Sequence, residues 1–175
     1  MTIVESAKAM EEHLKHLRRE FHMYPETSGN EKETAARVVK ELEDIGGFKI
    51  QTGIGGNGVI ADLSGNFPGP TAALRADMDA LQIEEETGLS FCSENCGVMH
   101  ACGHDNLLTM ALGAARLLAQ RKDELRGRVR MIFQPSEELS PQGGARKMIE
   151  AGALDGVDAV FGMHVWPDLP LGKVG

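Results

Sequence analysis

Several features that mark other classes of protein are scarce in this sequence. No segment approaches the roughly 18–20 consecutive apolar residues that a membrane-spanning helix needs. The N-terminus lacks the basic segment and apolar run of a signal peptide, so a cytoplasmic protein is expected. Only 5% of the residues are aromatic, which leaves few side chains on which nucleobases could stack. These absences argue against membrane proteins, secreted proteins and binders of single-stranded nucleic acid.

Positive charge is also in short supply. The chain of 175 residues has 18 Lys and Arg against 26 Asp and Glu, a formal net charge of −8. Proteins that bind nucleic acid or anionic membranes present a basic patch. The nearest approach to one is residues 121–130, where Asp123 and Glu124 interrupt the basic residues. Neither a nucleic-acid partner nor a membrane partner is therefore expected.

Cysteine is rare, but the three cysteines present are close together. Cys92, Cys96 and Cys102 fall within eleven positions, and their odd number argues against a disulfide framework. Together with His104 they could form a closed Cys3His structural zinc site. Their spacing differs from the common C-x2-C knuckle, so we rank this small zinc-stabilised module below a catalytic metal site.

Apolar residues recur at spacings typical of helices and strands. Met10, Leu14, Leu17 and Phe21 lie on one face of a helix. Ser28 and Glu31 match an S-x-x-E capping box. Helices are predicted over residues 6–22, 28–45, 105–120 (capped by Asp105) and 143–151, and strands over 48–51, 58–63, 71–75, 128–133 and 157–164.

The order of these elements predicts the fold class. Helices that alternate with short apolar strands indicate an α/β fold, with helices packed on a β-sheet. Residues 64–70 are rich in Gly and Pro and predict a hairpin between the second and third strands. The sheet is therefore expected to be mixed and mostly parallel.

Polar residues cluster at the carboxyl ends of the predicted strands, or in the loops that follow them. Open α/β sheets bind their ligands at this edge. One sulfur, two imidazoles and several carboxylates suit zinc and similar divalent cations, and the surplus of carboxylates indicates two metal ions. The four clusters are Asp77/Asp79, Cys102/His104, Glu137/Glu138 and His164.

Five segments resemble motifs of the M20 metallopeptidase family, in the family's order. The similarity is to its amidohydrolase branch, which includes N-acyl-amino-acid amidohydrolases, hippurate hydrolase and indole-acetyl-amino-acid hydrolases. The segments are Phe-His-Met-Tyr-Pro-Glu (21–26), Arg-Ala-Asp-Met-Asp-Ala-Leu (75–81), Met-His-Ala-Cys-Gly-His-Asp (99–105), Phe-Gln-Pro-Ser-Glu-Glu (133–138) and Gly-Met-His-Val-Trp-Pro (162–167).

The resemblance implies a binuclear site for zinc, manganese or nickel. Cys102 would bridge the two metals, and His104, Glu138 and His164 would be terminal ligands. Glu137 would be the general base that deprotonates a metal-activated water. Asp77 would orient a ligand without binding metal itself. The implied substrate is an N-acyl amino acid or a small peptide, cleaved at its amide bond.

Length separates this chain from the family. Members of the family are roughly twice as long, in the range where chains split into two domains. The resemblance therefore implies that residues 1–175 are the N-terminal portion of the catalytic domain, which is incomplete. The inserted dimerisation domain and the C-terminal part of the catalytic domain would be absent. Self-association and little hydrolase activity are expected, and an inactive metal-binding fragment is the alternative to an enzyme.

Overall fold

The protein is described here by a computed structural model, which covers residues 2–139, 141 and 143–175. The helices are α1 (Ile3–Ala9), α2 (Glu11–Met23), α3 (Lys32–Ile45), α4 (His104–Gln120) and α5 (Gly144–Glu150), with a 3-10 turn at Lys122–Glu124. The strands are β1 (Lys49–Ile54), β2 (Gly58–Ser64), β3 (Phe67–Asp77), β4 (Arg126–Gln134) and β5 (Ala159–Gly162). None of the described helices is both long enough and apolar enough to cross a membrane.

The five strands form one mixed sheet in the order β1-β2-β4-β3-β5. β2 is antiparallel to both β1 and β4, whereas β3 is parallel to both β4 and β5. The predicted α/β fold with helices on a mixed sheet is therefore confirmed. Because β3, β4 and β5 run in the same direction, their carboxyl ends meet at one edge of the sheet.

The two faces of the sheet are buried by different helices. On one face, α2, α3 and α4 contribute residues such as Phe21, Leu42 and Leu108 to the larger core cluster. On the other face, Met148 of α5 packs on Ile60 and Ile132. Central strands covered on both faces are expected to be largely apolar, and β2 is buried from Gly58 to Leu63, with Asp62 as its one charged residue.

Two local predictions from the sequence are wrong. The predicted first helix divides at Met10, which ends α1 and precedes α2. The predicted hairpin at residues 64–70 does not pair β2 with β3, because β4 lies between them. The hairpin is formed instead by β1 and β2.

The predicted helix caps at Ser28 and Asp105 are also wrong. α3 begins at Lys32, and neither Ser28 nor Glu31 caps it through a side chain. Gly103 is the N-cap of α4, so Asp105 lies inside that helix, where it accepts hydrogen bonds from His22 and Asn106.

Candidate metal centre

The predicted site residues gather at the edge where the parallel strands end. Asp77 is the last residue of β3, and Glu137 and Glu138 follow β4 by three and four positions. His164 follows β5, and Cys102 and His104 lie at the start of α4. The strand order explains this convergence, because β3 is hydrogen-bonded to both β4 and β5.

His104 is completely buried, and its ring orientation is fixed by the backbone. Its Nδ1 donates to the carbonyl oxygen of Asp79 at 2.8 Å. A carbonyl can only accept, so Nδ1 carries a proton and Nε2 faces the other ligand candidates. In the described part of the chain, His104 Nε2 has no hydrogen-bond partner. A buried nitrogen without a partner, whose ring is held by a carbonyl at the opposite nitrogen, is typical of a metal-ligating histidine.

Two groups of side chains could each hold a cation, and they share His104. Cys102, His104 and His164 form one group, and His104, Glu137 and Glu138 form the other. Within each group the ligand atoms all lie within 4.8 Å of one another. Cys102 Sγ is 3.4 Å from His164 Nε2, and His104 Nε2 is 3.8 Å from a carboxylate oxygen of each glutamate. Five of the six predicted site residues therefore lie together.

Asp77, the sixth, contacts a different partner. Its carboxylate is buried and forms an ion pair with Arg75. Burial raises the pKa of Asp77 to about 6, although Arg75 and His104 act in the opposite direction. No hydrogen bond between Asp77 and a candidate ligand occurs among the described residues.

Asp79, for which the sequence indicated no individual role, contacts two of the candidate ligands. Its carbonyl holds His104, and its Oδ2 accepts the backbone N–H of Glu138 at 2.9 Å. Burial alone would raise the pKa of Asp79, but hydrogen bonds from His104, Ser28 and the backbone of Glu138 lower it to about 2. Its carboxylate therefore stays ionised. A signal was available in the sequence, since Asp79 follows β3 by only two residues.

Negative charge concentrates around the candidate ligands. Burial, reinforced by Glu138, Glu137 and Asp77, raises the pKa of the Cys102 thiol to about 12. Glu138 Oε1 is buried without a hydrogen-bond partner among the described residues. Clustered carboxylates with unpartnered buried oxygens are unfavourable unless a positive charge lies nearby. The donor set of thiol, imidazole and carboxylate fits one or two divalent cations.

The alternative Cys3His site is not assembled. Within the described residues, neither cation-binding group includes Cys92 or Cys96. Cys96 Sγ lies instead 3.7 Å from Glu84 Oε2 and is exposed. The structure therefore favours the ligand set at the strand ends over a structural zinc module.

The sequence matches the family model described as Peptidase family M20/M25/M40 over residues 73–175. It is 49% identical over 166 residues to N-acetyl-L-cysteine deacetylase of Bacillus subtilis, covering 95% of this chain and 39% of that protein. It is 47% identical over 158 residues to an N-acyl-L-amino acid amidohydrolase of Geobacillus stearothermophilus, covering 90% of this chain and 42% of that protein.

Comparison with a solved structure indicates the same family. The fold is similar to the Bacillus subtilis YxeP protein, described as a dinuclear metal-binding peptidase of the M20 family. The TM-score is 0.87 and the identity 48%, covering 93% of this chain and 45% of that one. This chain thus spans less than half the length of the relatives that it matches. With its strand-end ligand set and these matches, the chain belongs to the M20 family of metal-dependent amidohydrolases and peptidases.

Proposed function

We propose that this chain carries most of a binuclear metal site for hydrolysing the amide bond of N-acyl amino acids or small peptides. The observation that carries the proposal is His104, whose buried Nε2 faces both glutamates and belongs to both ligand groups. The named activities of the relatives, deacetylation of N-acetyl-L-cysteine and hydrolysis of N-acyl-L-amino acids, support the substrate class.

Four residues would hold the metals. Cys102, His104, Glu138 and His164 would supply the ligands. The set of sulfur, nitrogen and oxygen donors suits zinc, while manganese and nickel also accept imidazole and carboxylate. When bound, the cations would polarise the substrate carbonyl and lower the pKa of the attacking water.

The protein's own residues supply the proton transfer and the positioning. Glu137 is 3.8 Å from His104 Nε2, and its side chain is 39% exposed, so the carboxylate is accessible from solvent. We assign to it the role of general base, which accepts a proton from the water as the water attacks the amide carbon. Glu137 would then donate that proton to the leaving amine. Asp79 holds His104 and Glu138 in place. Asp77 remains a proposed orienting residue, acting from beside Arg75.

Separate substitutions of Glu137 and Glu138 test these roles. Glu138→Gln should weaken the binding of zinc by about 10-fold or more, since a ligand is lost. Glu137→Gln should leave zinc affinity close to that of the unaltered chain, because a base contributes little to holding the metal. Affinity is measured by competition with a chromogenic chelator, with His16→Gln on the exposed side of α2 as the control. Equal loss of zinc in both glutamate variants would contradict the separate roles.

Turnover is tested on the same variants with N-acetyl amino acids as substrates. The 175-residue chain alone is expected to show little activity, because it spans less than half the length of its relatives. Any activity that it does show should disappear in Glu137→Gln while zinc remains bound. Activity that survives this change would exclude Glu137 as the base. A chain that binds no divalent metal would contradict the proposed function itself.

A further inference from the structure

Glu31 is a fully buried carboxylate that lies outside the ligand set. Its partners are hydrogen-bond donors: the backbone N–H of Gly29 at 2.9 Å, the N–H of Ser136 at 2.7 Å, Ser136 Oγ at 3.2 Å and Asn57 Nδ2 at 3.0 Å. Within the described residues it forms no ion pair. Burying a carboxylate is costly unless its oxygens are satisfied. These donors satisfy it, and they come from three separate segments of the chain.

Ser136 connects the Glu31 carboxylate to the candidate metal centre. It has a φ of 54°, which makes it the single non-glycine residue with positive φ in the part of the chain that the structure describes. Such a conformation is strained for a residue with a side chain and persists only where its surroundings enforce it. Both polar groups that Ser136 can donate with, the N–H and the Oγ, point to Glu31 Oε1. The next two residues are Glu137 and Glu138.

The loop that carries Glu31 also contacts the site at a second point. Ser28 Oγ donates to Asp79 Oδ2 at 2.6 Å, and the same oxygen accepts the N–H of Glu138. The segment between α2 and α3 therefore acts on the glutamate pair from two sides. It does so through Ser136 on one side and Asp79 on the other.

We propose that Glu31 is a positioning residue that holds the left-handed turn at Ser136 and thereby aims Glu137 and Glu138 at His104. This inference rests on the proposed function insofar as those glutamates serve a metal site. Residues of this kind typically change metal affinity by about 10-fold to 100-fold when they are replaced.

Glu31→Gln is the variant that tests it. It keeps the size of the side chain, but it weakens the acceptor and turns an amide N–H2 towards either Asn57 Nδ2 or Ser136. We expect zinc or cobalt to bind at least about 10-fold more weakly. We also expect faster hydrogen exchange at the amides of Ser136 and Glu138, measured without added metal.

Asp62→Asn is the matched control. Asp62 is another buried carboxylate, and its described partners are Arg128 and Arg130, away from the site. Asp62→Asn should lower the stability of the fold while leaving metal affinity and exchange at Ser136 and Glu138 unchanged. Equal effects of the two variants on these readouts would show that Glu31 is merely structural and would overturn the inference.

The outcomes for the two proposals can be told apart. If the unaltered chain binds no metal, the proposed function fails, but amide exchange at Ser136 and Glu138 still decides the role of Glu31. If the unaltered chain binds metal and Glu31→Gln binds it equally well, the positioning role alone is refuted. If Glu31→Gln does not fold, Asn57→Ala decides, since it removes one donor to Glu31 from a half-exposed position. Asn57→Ala should weaken metal binding and speed the same exchange, and wild-type behaviour in it would overturn the inference.

Discussion

A left-handed glycine separates two of the proposed metal ligands. Gly103 has a φ of 83° and precedes α4 between Cys102 and His104. A Cβ at this position would lie 2.4 Å from Cγ2 of Val165, the neighbour of His164. Both the backbone conformation and the close contact require glycine. One residue thus sets the relation among three of the four proposed ligands.

Gly103→Ala should therefore impair metal binding as well as stability. The left-handed conformation alone costs an alanine roughly 1–2 kcal/mol, and displacement of Val165 would move His164 away from Cys102. Gly46→Ala is the matched control, because Gly46 has a φ of 79° and nothing within 4 Å of its added Cβ. Thermal unfolding should report destabilisation in both, whereas zinc affinity should fall only in Gly103→Ala. Unchanged zinc affinity in Gly103→Ala would contradict this account.

His22 is a titratable residue held between two carboxylates. Its Nδ1 lies 2.7 Å from Asp105 Oδ2 and its Nε2 lies 3.2 Å from Glu85 Oε1. The hydrogen bond to Asp105 raises the pKa of His22 above its usual 6.5, against the effect of burial. Because the folded pKa is the higher one, protonated His22 stabilises the fold fully below pH 6.5. That contribution is lost as the pH rises through the raised pKa.

His22→Gln should therefore cost most at low pH. Hydrogen bonds to charged groups are worth about 1.5–3 kcal/mol, so we expect a loss of this size near about pH 6 and a smaller loss near about pH 9. Urea unfolding at the two pH values measures the difference. His16→Gln, on the exposed side of the same helix, should show no such trend. A cost of His22→Gln that does not change with pH would refute the assignment.

At the scale of elements, β4 is tied to the segment after α5 by one arginine. Arg130 is buried and donates from Nε and Nη2 to the two oxygens of Asp62 at 2.8 and 2.9 Å. Its Nη1 donates to the carbonyl of Ala153 at 2.9 Å. The bidentate pair and the carbonyl contact connect β2, β4 and the chain that leads to β5.

Arg130→Met should destabilise the fold strongly, because it leaves Asp62 buried with Arg128 as its remaining cationic partner. Removing one member of a buried pair costs about 3–5 kcal/mol, and the Arg128 contact at 3.2 Å places the expected value near the lower end. Urea unfolding gives the measurement. Arg126→Met, at an exposed position of the same strand, should cost far less. Similar losses in both variants would contradict the importance of the pair.

The elements also show what a sequence can and cannot predict. Helices α3 and α4 and strands β2 and β4 follow from periodic apolar residues, because burial of one face imposes that period. The Ser28–Glu31 pattern wrongly predicted a helix cap. A local motif does not reveal that Glu31 accepts a hydrogen bond from Ser136, which is 105 residues away. The strand order could not be predicted from the sequence either, since the turn at 64–70 does not show that β4 inserts between β2 and β3. The convergence of the candidate ligands was predictable because their motifs, each weak alone, lie at strand ends and together resemble one family.

At the scale of the whole molecule, β5 is an edge strand of the sheet that the described residues form. It pairs with β3 on one side, and all four of its residues are exposed. Val160 is 49% exposed and Phe161 57% exposed, and they point to opposite faces of the sheet. A cavity of about 270 Å³ lies beside Phe161 against α4, and one of about 310 Å³ lies beside Val160 against α5. An apolar strand with a free edge favours pairing with another chain.

We therefore expect the chain to self-associate through β5. Phe161→Lys should shift it towards the monomer, because the added charge opposes pairing at that edge. Sedimentation velocity over a range of concentrations gives the measurement. Val4→Lys replaces a similarly exposed apolar residue of α1 and should leave association unchanged. A chain that is monomeric at all concentrations would contradict the expectation.

The exposure of β5 also bears on the proposed metal site, because His164 lies two residues after this strand. His164, a proposed ligand beside a fully exposed strand, would be held less firmly than His104, which is buried. Whatever covers β5 would restrict His164 and so tighten metal binding. By thermodynamic reciprocity, bound metal would strengthen whatever covers β5 to the same degree. Metal occupancy and the covering of β5 would then be linked in a single equilibrium.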